Sequence, residues 1–211
     1  MNNRAAFLEV AKGELRVRDA ASEEPGEGKV LVRVHACAIQ PADATCARLS
    51  MMLVEYPAVL GSPIAGVVEA TGVGVSNITI EERIICGTKI FSHEKAEYGG
   101  LQRFTVVDAS EVVEIGDIEF TKAVTLASYT PPGALFAWST LNMHRPTILV
   151  SPLPKGEQDR NILVWGGSSA MGSLSISYAK AAGYTVISTS SPHSFGLLRD
   201  LVQTMSSSTA T

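Results

Sequence analysis

One stretch limits what this chain can fold into more than any other: Asn161 to Ser191, NILVWGGSSAMGSLSISYAKAAGYTVISTSS. The apolar run Ile162-Leu163-Val164-Trp165 suits a strand buried on both faces. Gly166, Gly167, Ser168 and Ser169 break that run. From Met171 the period changes. Met171, Leu174, Tyr178 and Ala181, spaced 3, 4 and 3, make one apolar helical stripe. Gly183 then stops the helix, as glycine does just past a C-terminus. Tyr184-Thr185-Val186-Ile187 reads as a second strand. The order predicts a βαβ unit with parallel strands and a right-handed crossover.

The turn between first strand and helix carries the chemistry. A helix N-terminus presents unpaired N–H groups and a partial positive charge, and it holds phosphate where nothing blocks close approach. Against the dinucleotide fingerprint G-x-G-x-x-G the chain offers Gly167, Ser168, Ser169, Ala170, Met171 and Gly172. Glycine at 167 permits a tight turn, and Gly172 lets the helix pack close to the strand. Ser169 takes the middle glycine slot, where a small hydroxyl can donate to a pyrophosphate. The alternative is an ordinary tight turn with no ligand. Folds selective for NAD place an acid roughly 20 residues past the turn, on the ribose 2′-OH. Here Ser188 to His193 contains no acid. An uncharged loop with Ser190, Ser191 and His193 leaves room for a 2′-phosphate and favours NADP(H). The alternative is a polar loop that touches nothing.

Composition narrows the classes. The chain has 211 residues, 45% of them hydrophobic and 18% charged, with material for one large or two small domains. A formal charge of −4 gives no case for nucleic acid or an anionic membrane as partner. Cys37, Cys46 and Cys86 are odd in number and widely spaced, which predicts free thiols in a reducing compartment. The N-terminus has early charges and no long apolar core, so it does not read as a secretory signal. No stretch approaches the roughly 20 apolar residues that span a bilayer. The expected location is cytoplasmic.

Residues 4–115 read as short strands punctuated by glycine and proline, which predicts a barrel or sandwich. Ala5–Val10 and Leu15–Val17 make a hairpin. Val30 to Ala36 alternates, with Val30, Val32 and Val34 on one face and Arg33 and His35 on the other. Further strands are expected at Ile64–Ala70, Arg83–Cys86, Lys89–Phe91 and Phe104–Val107. Phe120 to Met143 is helical in pattern, broken by Pro131-Pro132-Gly133. Arg145 to Arg160 is a charged, proline-bearing surface loop. Phe195 to Val202 suits one more helix, and Ser206 to Thr211 is a small polar tail, expected to be disordered.

Several segments in this order resemble the medium-chain dehydrogenase/reductase superfamily, whose N-terminal part is the GroES-like fold. Ala38-Ile39-Gln40-Pro41-Ala42-Asp43 is similar to its N-P-x-D segment. Tyr56 to Glu69, continued by Gly72-Val73-Gly74-Val75, is similar to its P-x-x-x-G-x-x-x-A-G-x-V segment. Tyr98 to Phe104 resembles its G-A-F-A-E-Y strand. Val164 to Ser169, with Ser190 to Phe195, is most similar to fungal trans-acting enoyl reductase-like members. The resemblance implies an α/β plus β fold: a GroES-like β-barrel domain (1–118), linking helices and a loop (119–160), and the first part of a Rossmann NADP-binding domain (161–205), then the tail (206–211). Zinc-binding members carry a Cys and a Gly-His-Glu where this chain has Gln40-Pro41 and Gly61-Ser62-Pro63, so a zinc-independent branch is implied and no metal is expected. The family's G-D-R-V turn is replaced by Glu81-Glu82-Arg83-Ile84.

The implied activity is a quinone or enoyl reductase, with hydride passing from NADPH to an activated C=C of a small-molecule or carrier-bound enoyl substrate. The proton for the α-carbon comes from water or a nearby acid, with Tyr56 and Tyr98 the candidate phenols; the alternative for each is a tyrosine that caps the core. Gln40 and Asp43 are the polar residues nearest the ribose by analogy. A complete dinucleotide domain in this family needs about six parallel strands, whereas 20 residues follow Ser191. The expectation is therefore a C-terminally truncated reductase, impaired in its full cycle. Its two-stranded sheet would leave an apolar patch for a partner or a homodimer. The competing reading is a non-catalytic GroES-like binding module or pseudoenzyme fragment.

Overall fold

Short β-branched runs broken by glycine and proline make the first half of the chain β-rich, as its pattern predicts. The computed structural model describes residues 2–50, 55–88, 98–127, 140–143 and 160–203. The chain divides into two units, Met1–Ser128 and Tyr129–Thr211.

In the first unit β1 (Asn3–Leu8) pairs antiparallel with β2 (Leu15–Ala20), which is the expected hairpin. β1 also pairs with the two-residue β4 (Ala58–Val59). A second, antiparallel sheet has the order β7-β3-β5-β6-β8. Its strands are β3 (Lys29–Cys37), β5 (Ile64–Thr71), β6 (Arg83–Cys86), β7 (Phe104–Asp108) and β8 (Val113–Glu114). Among the described residues the sheets do not close into one barrel; an isolated bridge between Ala5 and Gln102 joins them. Val30 and Val32 of β3 are fully buried in a cluster with Ile64, Val68, Ile84 and Val107, while His35 faces outward. Val34 packs on the same cluster, as the period-2 alternation requires, while Leu31 on the opposite face is buried as well.

Two helices complete this unit. α1 (Pro41–Leu49) starts with proline at its first position, where the missing N–H costs nothing. α2 (Phe120–Ala127) lays Ala123 and Val124 on Ala65, Ile85 and Ile115. The expected strand at Lys89–Phe91, the helix break at Pro131–Gly133, most of the Arg145–Arg160 loop and the C-terminal tail lie outside the described residues.

The second unit holds β9 (Asn161–Val164), α3 (Ala170–Ala181), β10 (Thr185–Ser188) and α4 (Phe195–Gln203). β9 and β10 are parallel, with Val164 opposite Ser188, so the βαβ expectation holds. Two details differ. β9 is not buried on both faces: Ile162 and Val186 pack near Ala179, Ala182 and Tyr184, but Leu163 is 61% and Trp165 82% exposed. Burial of both faces needs cover on each, and among the described residues one face lacks it. The buried face of α3 is also Gly172, Ile176 and Ala179 rather than the Met171-Leu174-Tyr178-Ala181 stripe. The close approach of Gly172 to the turn sets the helix rotation and outweighs side-chain size.

Among the described residues no helix is long and apolar enough to cross a membrane.

Candidate functional site

The turn after β9 is built by two glycines with different duties. Gly166 sits at φ +73, in the left-handed region that side chains disfavour, and so makes the turn. The sequence assigned that duty to Gly167. Gly167 is instead needed for space: a Cβ there would lie 2.1 Å from Ser188 Oγ and 2.7 Å from Ile176 Cδ1. Gly172 is required for the expected reason. Its Cβ would meet Gly166 O at 2.3 Å and Gly167 Cα at 2.7 Å, so α3 lies directly against the turn.

Ser169 caps α3. Its Oγ accepts from Gly172 N at 3.0 Å and donates to Gly166 O at 2.9 Å. Its single proton is committed within the turn and does not serve as the free phosphate donor that the spacing suggested. Gly167 N donates to Thr189 O, Ser169 N to Gly166 O and Ser173 N to Ser169 O. Among the described residues the amides of Ala170 and Met171, the first two of α3, have no acceptor. Ser168 likewise carries a hydroxyl with no partner among them. Those amides, the helix dipole and the two close glycines form a cradle that fits a phosphate.

The loop after β10 lies beside this cradle. Gly166 N donates to Thr189 Oγ1 at 3.0 Å, and Ser188 Oγ donates to Val164 O at 2.9 Å. Both strand ends therefore open on the same edge, the carboxyl edge where open α/β sheets take ligands. Ser190 donates to Ser191 O at 3.1 Å, and Ser191 Oγ lies 2.9 Å from His193 Nδ1. Ser191 and His193 are exposed.

The first unit places the other candidates as follows. Asp43 is buried, and its two oxygens accept from Gln40 N at 2.7 Å and Gly61 N at 2.9 Å. Burial raises its pKa against the pull of those two amides. It ties the start of α1 to the Gly61-Ser62-Pro63 segment, and both oxygens are engaged in doing so. Gln40 is half-buried at the helix start. Tyr56 is half-buried against Leu8, Cys46, Ala58 and Leu60. Tyr98 is buried, with Lys29 Nζ donating to its hydroxyl and lying 4.4 Å from its ring centroid. The three cysteines are free thiols, and burial pushes Cys37 up to about 12 and Cys86 well above the ordinary range. Among the described residues no three His, Cys, Asp or Glu side chains converge as a metal site.

Residues 26–117 match the family described as the alcohol dehydrogenase GroES-like domain. Dehydrogenase orf1 of Aspergillus niger is 34% identical over 208 residues, covering 94% of this chain and 58% of that protein. Trans-enoyl reductase tndF of Aspergillus flavipes is 32% identical, covering 94% of this chain and 57% of that one. The crystal structure of a quinone oxidoreductase from Pseudomonas syringae superposes with a TM-score of 0.71 at 25% identity, covering 95% of this chain and 57% of its own. The chain is similar over nearly its whole length to proteins of the medium-chain dehydrogenase/reductase superfamily. It combines that superfamily's GroES-like domain with a partial Rossmann-like unit, as the fold above shows. It spans a little under three-fifths of the length of these relatives.

Two residues have roles in the structure that sequence reading missed. Arg83, the one residue kept from the G-D-R-V turn, donates to Gly116 O and to Ile118 O and packs on Phe120 at 4.3 Å. Lys29 holds Tyr98. Both act over long sequence separations, so no local pattern announces them.

Proposed function

We propose that this chain is the cofactor-gripping part of a zinc-independent, NADPH-dependent reductase of the enoyl/quinone reductase type, working in the reducing cytoplasm. The observation that carries the reading is the pair of unused amides at Ala170 and Met171, set beside the acid-free Ser190–His193 loop. The cradle fits a pyrophosphate: Gly167 and Gly172 leave backbone where a Cβ would clash, and the helix end is positive. Gly167, Ser168, Ser169, Ala170, Met171 and Gly172 would hold the pyrophosphate. Ser190, Ser191 and His193 would hold the 2′-phosphate, with donors and no carboxylate to repel it. Zinc does not fit the motif positions Gln40-Pro41 and Ser62-Pro63, which supply no thiolate, imidazole or carboxylate.

When bound, the nicotinamide supplies a hydride to the electron-poor β-carbon of an enone or enoyl thioester, free or carrier-bound. The chain's own part is positional. Asp43 fixes the Gln40 and Gly61 segments against each other. Tyr56, which is half-buried, is the phenol proposed to pass a proton to the α-carbon. Tyr98, buried and held by Lys29, is the second candidate and serves packing first. The similarity to a dehydrogenase, a trans-enoyl reductase and a quinone oxidoreductase supports this class.

The test is a fluorescence titration with NADPH and NADH. The reading predicts at least about tenfold tighter binding of NADPH, equivalent to roughly 1.4 kcal/mol. Ser190→Asp should invert the preference by placing a carboxylate against the 2′-phosphate. Equal binding of the two dinucleotides, unchanged in the variant, would refute the assigned 2′-phosphate loop.

A further inference from the structure

The outer face of the five-stranded sheet carries a cluster that the reductase reading does not use. His35 of β3 stacks on Phe120, the first residue of α2, with ring centroids 4.4 Å apart and planes at 21°. The Arg83 guanidinium of β6 lies 4.3 Å from the same ring and reaches the carbonyls of Gly116 and Ile118 just before the helix. Arg33 of β3 pairs with Glu69 of β5, and its Nη1 lies 3.0 Å from His35 Nε2. A guanidinium can only donate, so Nε2 must accept there and the imidazole is neutral with its proton on Nδ1. Three elements, β3, β6 and the start of α2, thus meet at one neutral ring.

We propose that His35 is a proton-operated latch on α2: neutral, it keeps Phe120 and the first turn of the helix on the sheet; protonated, it lets that turn lift. A proton on Nε2 removes the lone pair that Arg33 uses and turns the contact into N–H against N–H. It also adds a third cation beside Arg33 and Arg83, with Glu69 as the facing carboxylate and already engaged by Arg33. Glu81 acts on Arg33, and at the start of α2 Lys122 and Glu119, which just precedes the helix, form an exposed pair 3.7 Å apart. Partial desolvation of the ring, then Arg33, then Arg83 hold His35 below the ordinary imidazole range, against the pull of Glu69. In the lifted state the ring returns to its ordinary value of 6.5. The lifted state therefore takes up the proton more readily. The latch is at full strength above pH 6.5 and weakens as pH falls from there towards the lowered value.

The test is amide hydrogen exchange of residues 122–127 in the unmodified chain, corrected for the intrinsic pH dependence of exchange. Protection should fall roughly threefold to tenfold between about pH 7.5 and 5.5, because opening gains up to a factor of ten per pH unit below the open-state value. His35→Gln keeps an oxygen acceptor for Arg33 but does not titrate, and its protection should stay flat. His93, His144 and His193 remain in that variant, so a loss shared with it would assign the effect to them and overturn the proposal. Flat protection in the unmodified chain would overturn it equally. Should His35→Gln fail to fold, the His35 ring titration by NMR decides: a midpoint below 6.5 that tracks the exchange of α2 supports the latch, and one at or above 6.5 ends it.

Discussion

Gly172→Ala adds one methyl group at the point where α3 meets the turn. The nearest atoms to that methyl are backbone, Gly166 O at 2.3 Å and Gly167 Cα at 2.7 Å. They cannot swing away as a side chain would, because Gly166 N and Gly167 N are both tied to Thr189. Forcing such a contact costs about 1–3 kcal/mol, and the better helix propensity of alanine returns about 1 kcal/mol. Restraint by the Thr189 bonds puts the cost near its upper end, leaving a net loss of about 1–2 kcal/mol. That is roughly a fivefold to thirtyfold rise in opening of the second unit. Hydrogen exchange across residues 161–188 reads it directly. Gly196→Ala is the matched control: a Cβ there meets nothing within 4 Å, so it should stabilise α4, by up to about 1 kcal/mol. If both variants shift stability in the same direction, close approach at Gly172 is not what shapes this turn. Dinucleotide affinity should fall with Gly172→Ala and not with Gly196→Ala, since only the former displaces the amides of Ala170 and Met171.

Other outcomes follow from the same geometry. Ser169→Ala removes the cap on Gly172 N and should cost about 1 kcal/mol in protection of α3, measured by exchange or urea unfolding. Asp43→Ala leaves Gln40 N and Gly61 N without their acceptor and should cost about 2–4 kcal/mol, read as a lowered unfolding midpoint for the first unit; a change under about 0.5 kcal/mol would deny the carboxylate its structural part. Cys37, with its thiol pushed up to about 12, should react with iodoacetamide at pH 8 far more slowly than after unfolding, as followed by mass spectrometry; equal rates would contradict its burial.

Much of the architecture was legible because period alone carries it. Alternation placed Val30 and Val32 inward on β3, and the change from strand run to helical spacing after Trp165 located the βαβ unit. The failures are equally physical. The helix stripe was chosen by side-chain size, yet the glycine that must touch the turn decides which face is buried. Gly166 and Gly167 are adjacent glycines, and only backbone geometry shows which one turns and which one makes room. α1 gave little signal, since Asp43 and Cys46 are its buried residues and neither marks an apolar stripe. The candidate site divided along the same line. The glycine turn was readable as a motif, whereas the duties of Ser169, Asp43 and Tyr98 depend on Gly166, Gly61 and Lys29, and none of these bonds has a sequence signature.

The account rests on the Ala170 and Met171 amides gripping a dinucleotide pyrophosphate. Hydrogen exchange of the chain with and without millimolar NADPH measures this at the residues concerned. Slowed exchange confined to 165–172 and 188–193, saturating with concentration, is the predicted result. Unchanged exchange at both segments in folded protein would contradict the account.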